Sequence, residues 1–128
     1  MESETTTPMM HIGELAERTE LSLRTIRHYD EVGLLKPSGR TEGGFRLYTE
    51  GDFSRLMLIR RMKPLGFPLE EMSELLRIID LLDAGDDPAL RVELQGFIER
   101  AALQRQKLQR QIDMADEFLE LLERRAGS

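Results

Sequence analysis

A chain of 128 residues with 40% hydrophobic and 33% charged residues has the size of one domain, or of one small domain with an appended helix, and a modest core under much exposed helix. The absence of cysteine excludes disulfides, thiolate metal sites and cysteine nucleophiles. Aromatic residues at 5% without a tryptophan argue against a large aromatic-lined substrate cavity, and no apolar run approaches the roughly 18–20 residues of a membrane span. The net charge of −6 is unevenly spread: ten basic residues stand against eight acidic ones between Met9 and Pro64, and eight against fourteen from Leu65 onward. Local charge, not the sum, decides where a polyanion docks, so the acidity of the second half does not count against nucleic-acid binding by the first.

Residues 1–9 read as a disordered leader, polar and acidic from Met1 to Pro8, without the apolar stretch of a signal peptide. Ile12, Leu15 and Ala16 follow helical spacing and predict a helix from Ile12 to Thr19. Glu20-Leu21-Ser22 interrupts it, and Ser22 is a good cap for a second helix from Leu23 to Val32, closed by Gly33. Two short helices joined by a three-residue turn, with Leu21 plugging the turn, form a helix-turn-helix over 12–33. Leu23, Ile26 and Val32 are expected to face inward, leaving Arg24, Thr25 and His28 outward.

A wing follows over 37–48. Ser38 to Gly44 is too rich in glycine and polar residues for a helix, and Phe45-Arg46-Leu47-Tyr48 alternates with strand period, making Gly43-Gly44 the turn of a small hairpin. A helix pair is predicted over 50–82. Thr49 caps a third helix from Glu50 to about Leu65, with Phe53, Leu56, Met57 and Ile59 placed to pack and Pro64 ending or kinking it. Pro68 opens a fourth helix to about Leu82, with Leu69, Met72, Leu75, Leu76 and Ile79 on its apolar side.

Asp87-Pro88 pairs a cap with a proline at the first helical position, and a last helix is predicted over 87–124. A heptad seam places Leu94, Ala101, Leu108, Ala115 and Leu122 at one position and Leu90, Phe97, Gln104, Gln111 and Phe118 at the other, with Ile98, Ile112 and Leu119 alongside. Such a helix runs about 55 Å at ~1.5 Å per residue, longer than the preceding domain covers, so it needs a partner. Leu90, Leu94, Phe97, Ala101, Leu108, Ala115, Phe118 and Leu122 are the expected dimerisation residues.

Ile12-Gly13-Glu14-Leu15-Ala16, Ser22 to Asp30, Gly33-Leu34-Leu35, Arg40 to Tyr48 and Leu65 to Met72 closely resemble the mercury-resistance-regulator (MerR-type) family of bacterial transcription regulators. The match covers roughly residues 10 to 80, and several motifs in fixed order carry it. The resemblance implies a mainly α fold: a winged helix-turn-helix DNA-binding domain, then a long C-terminal dimerisation helix forming an antiparallel coiled coil. It implies a homodimer on a pseudo-palindrome between two promoter elements, which kinks and untwists an overlong spacer so that RNA polymerase engages both. Double-stranded promoter DNA, a second copy of the chain and RNA polymerase are the expected partners, in a bacterial cytoplasm, associated with the nucleoid.

On the second helix, Arg24 is the best base-reading candidate because its fork matches a guanine edge, the alternative being a phosphate contact. Thr25 and His28 share its face, Ser22 sits at its cap, and Arg27 and Tyr29 either fix phosphates or brace the helix. His28 departs from the tyrosine more usual in the family. By resemblance Arg46 and Tyr48 grip the flanking minor groove or backbone, the alternative for Tyr48 being hydrophobic cover for the third helix; Lys63 reaches a phosphate near the wing. Arg40, Arg60 and Arg61 are weaker candidates of the same kind, and Arg40 joins the set.

No catalytic constellation stands out, and no cofactor is expected. His11 and His28 are the only histidines, with no H-E-x-x-H pair. Asp113, Asp116, Glu117 and Glu120 line one helical face and read as a solvated coil surface rather than a cation site. Metal and redox sensors of the family use cysteines near the end of the coil, which this chain lacks, and multidrug sensors carry a large added ligand domain, whereas the sequence stops shortly after the coil. Two options for regulation stay open: an apolar effector between coil and fourth helix near Phe67, Met72, Leu76 and Phe97, or no small effector at all. Two other functions stay open as well: a DNA-architectural, excisionase-like module without a polymerase role, and a coiled-coil adaptor whose winged domain binds protein.

Overall fold

The computed structural model describes residues 8–127, so all but the last two residues of the expected leader lie outside the described residues. Its elements run β1 (Met10–His11), α1 (Ile12–Thr19), α2 (Leu23–Glu31), β2 (Gly39–Arg40), β3 (Arg46–Tyr48), α3 (Glu50–Met62), a 3-10 turn (Lys63–Leu65), α4 (Leu69–Ala84) and α5 (Pro88–Gly127). The mainly helical chain divides into two compact units, Met1–Leu76 and Arg77–Ser128.

In the first unit, α1 ends on Thr19, fully buried, whose hydroxyl donates to the Leu15 carbonyl at 2.8 Å. Glu20 reverses the chain with φ +61°, the one non-glycine residue with positive φ among the described residues. Ser22 then starts α2, its Oγ accepting the Thr25 amide at 3.0 Å. Gly33, at φ +80°, lets the chain turn back, and the Leu34 and Leu35 amides both donate to the Tyr29 carbonyl at 2.9 and 3.1 Å. The inward stripe of α2 is Ile26, Tyr29 and Asp30, a one-turn i, i+3, i+4 set. Leu23 and Val32, expected inward, are instead 38% and 41% exposed: Leu23 lies in the first turn, at the edge of the contact, and Val32 falls beyond the last helical residue.

The wing is a three-stranded antiparallel sheet in the order β1-β3-β2. Met10 pairs with Tyr48 and His11 with Leu47 on one side, while Gly39 pairs with Leu47 and Arg40 with Arg46 on the other. The turn closes through Thr41, whose amide donates to the Phe45 carbonyl and whose carbonyl accepts from Gly44, both at 2.9 Å, with Gly44 at φ +86°. Strand β1 had no counterpart among the predicted elements, since two residues show no periodicity.

Helix α3 opens with a reciprocal capping box: Thr49 Oγ1 accepts the Asp52 amide at 3.1 Å and Asp52 Oδ2 accepts the Thr49 amide at 2.9 Å. Asp52 Oδ2 also accepts from Ser38 Oγ at 2.6 Å, tying the start of the wing to the start of the helix. The helix stops at Met62, short of the expected Leu65, because Pro64 has no N–H for the bond back to Arg60; the last three residues tighten into the 3-10 turn. Leu15, Ile26, Tyr48, Leu56 and Ile59 are fully buried at the centre, ringed by Met10, Tyr29, Leu34, Leu35, Met62, Met72 and Leu76. Each such aliphatic side chain contributes roughly 1.5–3 kcal/mol relative to exposure.

In the second unit Ile78 and Phe97 are the buried hydrophobic residues, and the Arg100 guanidinium lies 4.5 Å from the centre of the Phe97 ring. Helix α5 spans 40 residues, about 60 Å at ~1.5 Å per residue. Beyond Phe97 none of its described residues is buried; Ile112, Phe118, Leu119 and Leu122 are each about half exposed or more. Among the described residues no helix is long and apolar enough to cross a membrane.

Candidate nucleic-acid interface

Helix α2 buries Ile26 and Tyr29 and leaves the opposite face open. Arg24, Arg27 and His28 are exposed, Thr25 is half-buried, and neither Arg24 nor Arg27 has a hydrogen bond or ion pair among the described residues. Ser22 is exposed, but its hydroxyl proton goes to Thr25 Oγ1 at 2.9 Å while the oxygen accepts the Thr25 amide. Its role is thus to cap the helix and orient Thr25. Tyr29, 5% exposed, braces the helix from inside, with burial pushing its phenol above the ordinary value.

Asp30, in the last turn of α2, is 6% exposed and gathers the basic side chains of the wing. Its Oδ2 accepts from Arg46 Nε at 2.7 Å and Arg40 Nη2 at 3.3 Å, and Lys36 Nζ lies 3.7 Å from its Oδ1. Burial alone would raise the Asp30 carboxyl; the Arg46 hydrogen bond and the charges of Arg46, Lys36 and Arg40 outweigh it and hold the group below the usual carboxylate range. Arg46 is raised in return by the same bond. Arg40 also donates to the Gly44 carbonyl at 3.2 Å, fixing the wing tip. Lys63 stands exposed at the end of α3.

Tyr48 departs from the DNA contact that the resemblance implies and fits the alternative, hydrophobic cover for the third helix. It is fully buried in one core cluster with Leu56 and Ile59 of α3, and its hydroxyl has no hydrogen-bond partner among the described residues. The cause is β1: Met10, itself buried, pairs with Tyr48 and completes the cover over it. A buried hydroxyl without a partner forfeits about 1–3 kcal/mol of desolvation. Tyr48→Phe is therefore expected to hold or raise stability by up to about 1 kcal/mol in a thermal melt and to leave DNA affinity within about twofold. A tenfold loss in a gel-shift titration would mean that the hydroxyl reaches DNA after all.

Phe45, absent from the expected set, is 69% exposed at the wing tip. Its ring lies over Gly43, where an added Cβ would come within 3.3 Å of Phe45 Cε2. An aromatic residue directly after a Gly-Gly turn and before a basic residue was the available signal. Arg60 and Arg61 are engaged at home, Arg60 with Glu20 at 2.9 Å and Arg61 with the Met57 carbonyl at 3.2 Å.

The residues expected around an effector fall in both units. Met72 and Leu76 are core residues of the first unit with Phe67 packed against them, while Phe97 is buried in the second. An open groove of about 430 Å³ lies within the second unit, lined by Leu82, Leu94, Ile98 and Gln95 and by an Asp86–Arg91 ion pair at 2.7 Å. Along α5, Asp113 accepts from Gln109 and Glu120 from Arg124. Among the described residues no group of three or more histidine, aspartate or glutamate side chains is arranged to hold a metal ion.

The family model described as "MerR HTH family regulatory protein" matches residues 10–78, and a second, "MerR, DNA binding", matches residues 53–124. The HTH-type transcriptional regulator ZntR of Escherichia coli (strain K12) is 51% identical over 70 residues, 55% of this chain and 50% of the relative. The HTH-type transcriptional activator mta of Bacillus subtilis (strain 168) is 36% identical over 115 residues, 88% of this chain and 38% of the relative. The chain thus spans half or less of the length of these curated relatives. Among solved structures, HiNmlR, described as a MerR family regulator lacking the sensor domain and bound to promoter DNA, superimposes with a TM-score of 0.72 at 27% identity, covering 91% of this chain and 92% of that one. An open basic helix face, a basic wing tied to the last turn of the same helix through Asp30 and two family models that together span residues 10–124 identify the chain as a member of the MerR family of helix-turn-helix regulatory proteins.

Proposed function

We propose that this chain is a transcriptional regulator that binds a pseudo-palindromic promoter operator as a homodimer and acts by distorting the promoter spacer. The observation that carries the reading is the exposed face of α2, where Arg24 and Arg27 have no hydrogen bond or ion pair among the described residues. A buried guanidinium pair would be structural; an open one beside a hydroxyl-bearing Thr25 suits base edges and phosphates. The likeness to a regulator of similar extent bound to promoter DNA supports the same partner here.

Pairing through α5 follows from its exposed seam and its charge. From Pro88 to Arg110 five basic residues stand against two acidic ones, and from Gln111 to Gly127 five acidic against two basic. Two such helices repel end to end when parallel and attract when antiparallel. A seam centred on Leu108 then sets Leu94 across from Leu122 and Ala101 across from Ala115, and brings the partner's end of α5 to the groove beside Leu94. Phe97, already buried within its own chain, contributes little further area to that seam.

Two half-sites read by a symmetric dimer sit about 34 Å apart, one helical turn of DNA. Bending such a site costs on the order of 1–6 kcal/mol, which contacts at both half-sites offset. RNA polymerase is the partner that profits from the altered spacer, and the bacterial cytoplasm is the place of action. Phase-sensitive gel mobility on the operator tests the reading: a bent and unwound duplex is expected. A straight, normally twisted operator would favour a module that marks DNA without acting on polymerase.

A further inference from the structure

Asp30 is an uneconomical place for an acid. It lies in the last turn of α2, where the helix dipole already presents negative charge, and it is nearly buried. An asparagine would offer Arg46 Nε the same carbonyl acceptor without that cost. What only the carboxylate supplies is charge, and it is set against the basic residues of the wing segment together: Arg46 at 2.7 Å, Arg40 at 3.3 Å and Lys36 at 3.7 Å. Arg46 is held by Nε, so its two Nη groups, without a hydrogen bond among the described residues, keep their fork for an outside acceptor. Arg40 is spent at both ends, on Asp30 and on the Gly44 carbonyl.

We propose that Asp30 is a specificity-determining positioning residue: by drawing Arg46, Arg40 and the adjoining Lys36 onto one carboxylate it aims the Arg46 fork and caps the number of phosphates these cations neutralise on any DNA. Sequence-independent affinity is set by phosphates neutralised, whereas discrimination is set by the base contacts of α2. A restrained wing keeps the first low without touching the second. The inference rests on the DNA-binding reading above.

Binding of the full chain to a random-sequence duplex and to its operator, each titrated with salt, provides the test. Asp30→Asn is expected to steepen the salt dependence on the random duplex by about one unit of log Kd per log salt, since each added phosphate contact contributes ~0.9. Affinity for the random duplex at 50 mM salt should rise about tenfold on that slope, with operator affinity rising less, so that the ratio between the two falls. Asp30→Glu, which keeps the charge, should retain the wild-type slope even if its melting temperature drops. The same Asp30→Asn change in a Lys36→Gln background, with less like charge left unbalanced, repeats the contrast should the single variant not fold. A random-duplex slope unchanged or shallower in folded Asp30→Asn, with wild type binding DNA normally, overturns the inference alone and leaves Asp30 a structural tie. A wild-type chain that ignores every duplex at low salt overturns the DNA-binding reading and this inference together.

Discussion

Leu108→Asp is expected to abolish pairing of the chain while leaving each copy folded. Leu108 is half-exposed on α5, distant in sequence from the buried Phe97 and Ile78 of its unit and outside the core of the first, so no buried contact within the chain depends on it. At the centre of an antiparallel seam the substitution counts twice, because each copy loses a packed leucine and the two carboxylates face each other. Large-to-small losses of a packed leucine run to about 2–5 kcal/mol, so a combined penalty on the order of 4 kcal/mol is a conservative expectation, about a thousandfold in dimer Kd. Leu103 supplies the control. It is 65% exposed and lies five residues earlier, about 140° around the helix at ~100° per residue and off the seam. Leu103→Asp should leave the dimer intact. Sedimentation velocity across a concentration series reads both; equal behaviour of the two variants would place the interface elsewhere.

Arg24→Ala carries the second large effect. Arg24 is exposed, without a partner among the described residues, and two residues beyond the Ser22 cap, where the first turn of a recognition helix meets base edges. A bidentate arginine–guanine pair is worth about 1–3 kcal/mol of discrimination, so the variant should lose roughly 5- to 150-fold on the operator and much less on random DNA. Binding to a library with one randomised operator position at a time would find relaxed preference at a single position in each half-site. Lys63→Ala should instead weaken operator and random duplex alike and make the salt slope shallower by about one unit per site. If Arg24→Ala behaves like Lys63→Ala, Arg24 holds a phosphate.

The parts of this fold that were legible in the sequence are those fixed by local chemistry. Ser22, Gly33 and Thr49 mark helix ends by bonds made within a few residues, and all three sit at the ends of the helices they mark. What escaped depends on residues brought from afar. Strand β1 exists only because β3 offers an edge, and it is β1 that turns Tyr48 from an expected surface contact into core. Asp30 reads in sequence as one more acid on a helix, because its partners lie six, ten and sixteen residues away and converge only once the wing folds back. On α4 the buried residue past Leu76 is Ile78 rather than the expected Ile79, a one-residue choice that hydrophobic spacing leaves open between two adjacent isoleucines. The heptad seam was visible as a pattern, but a pattern does not say whether a residue such as Phe97 is already covered by its own chain.

The most direct test of the whole account is the number of chains bound per operator duplex at saturation, measured by native mass spectrometry or sedimentation equilibrium with labelled DNA. The account predicts two wild-type chains per duplex, joined through α5, and loss of that species with Leu108→Asp at the same concentration. One chain per duplex, or a two-chain complex indifferent to Leu108→Asp, would contradict it.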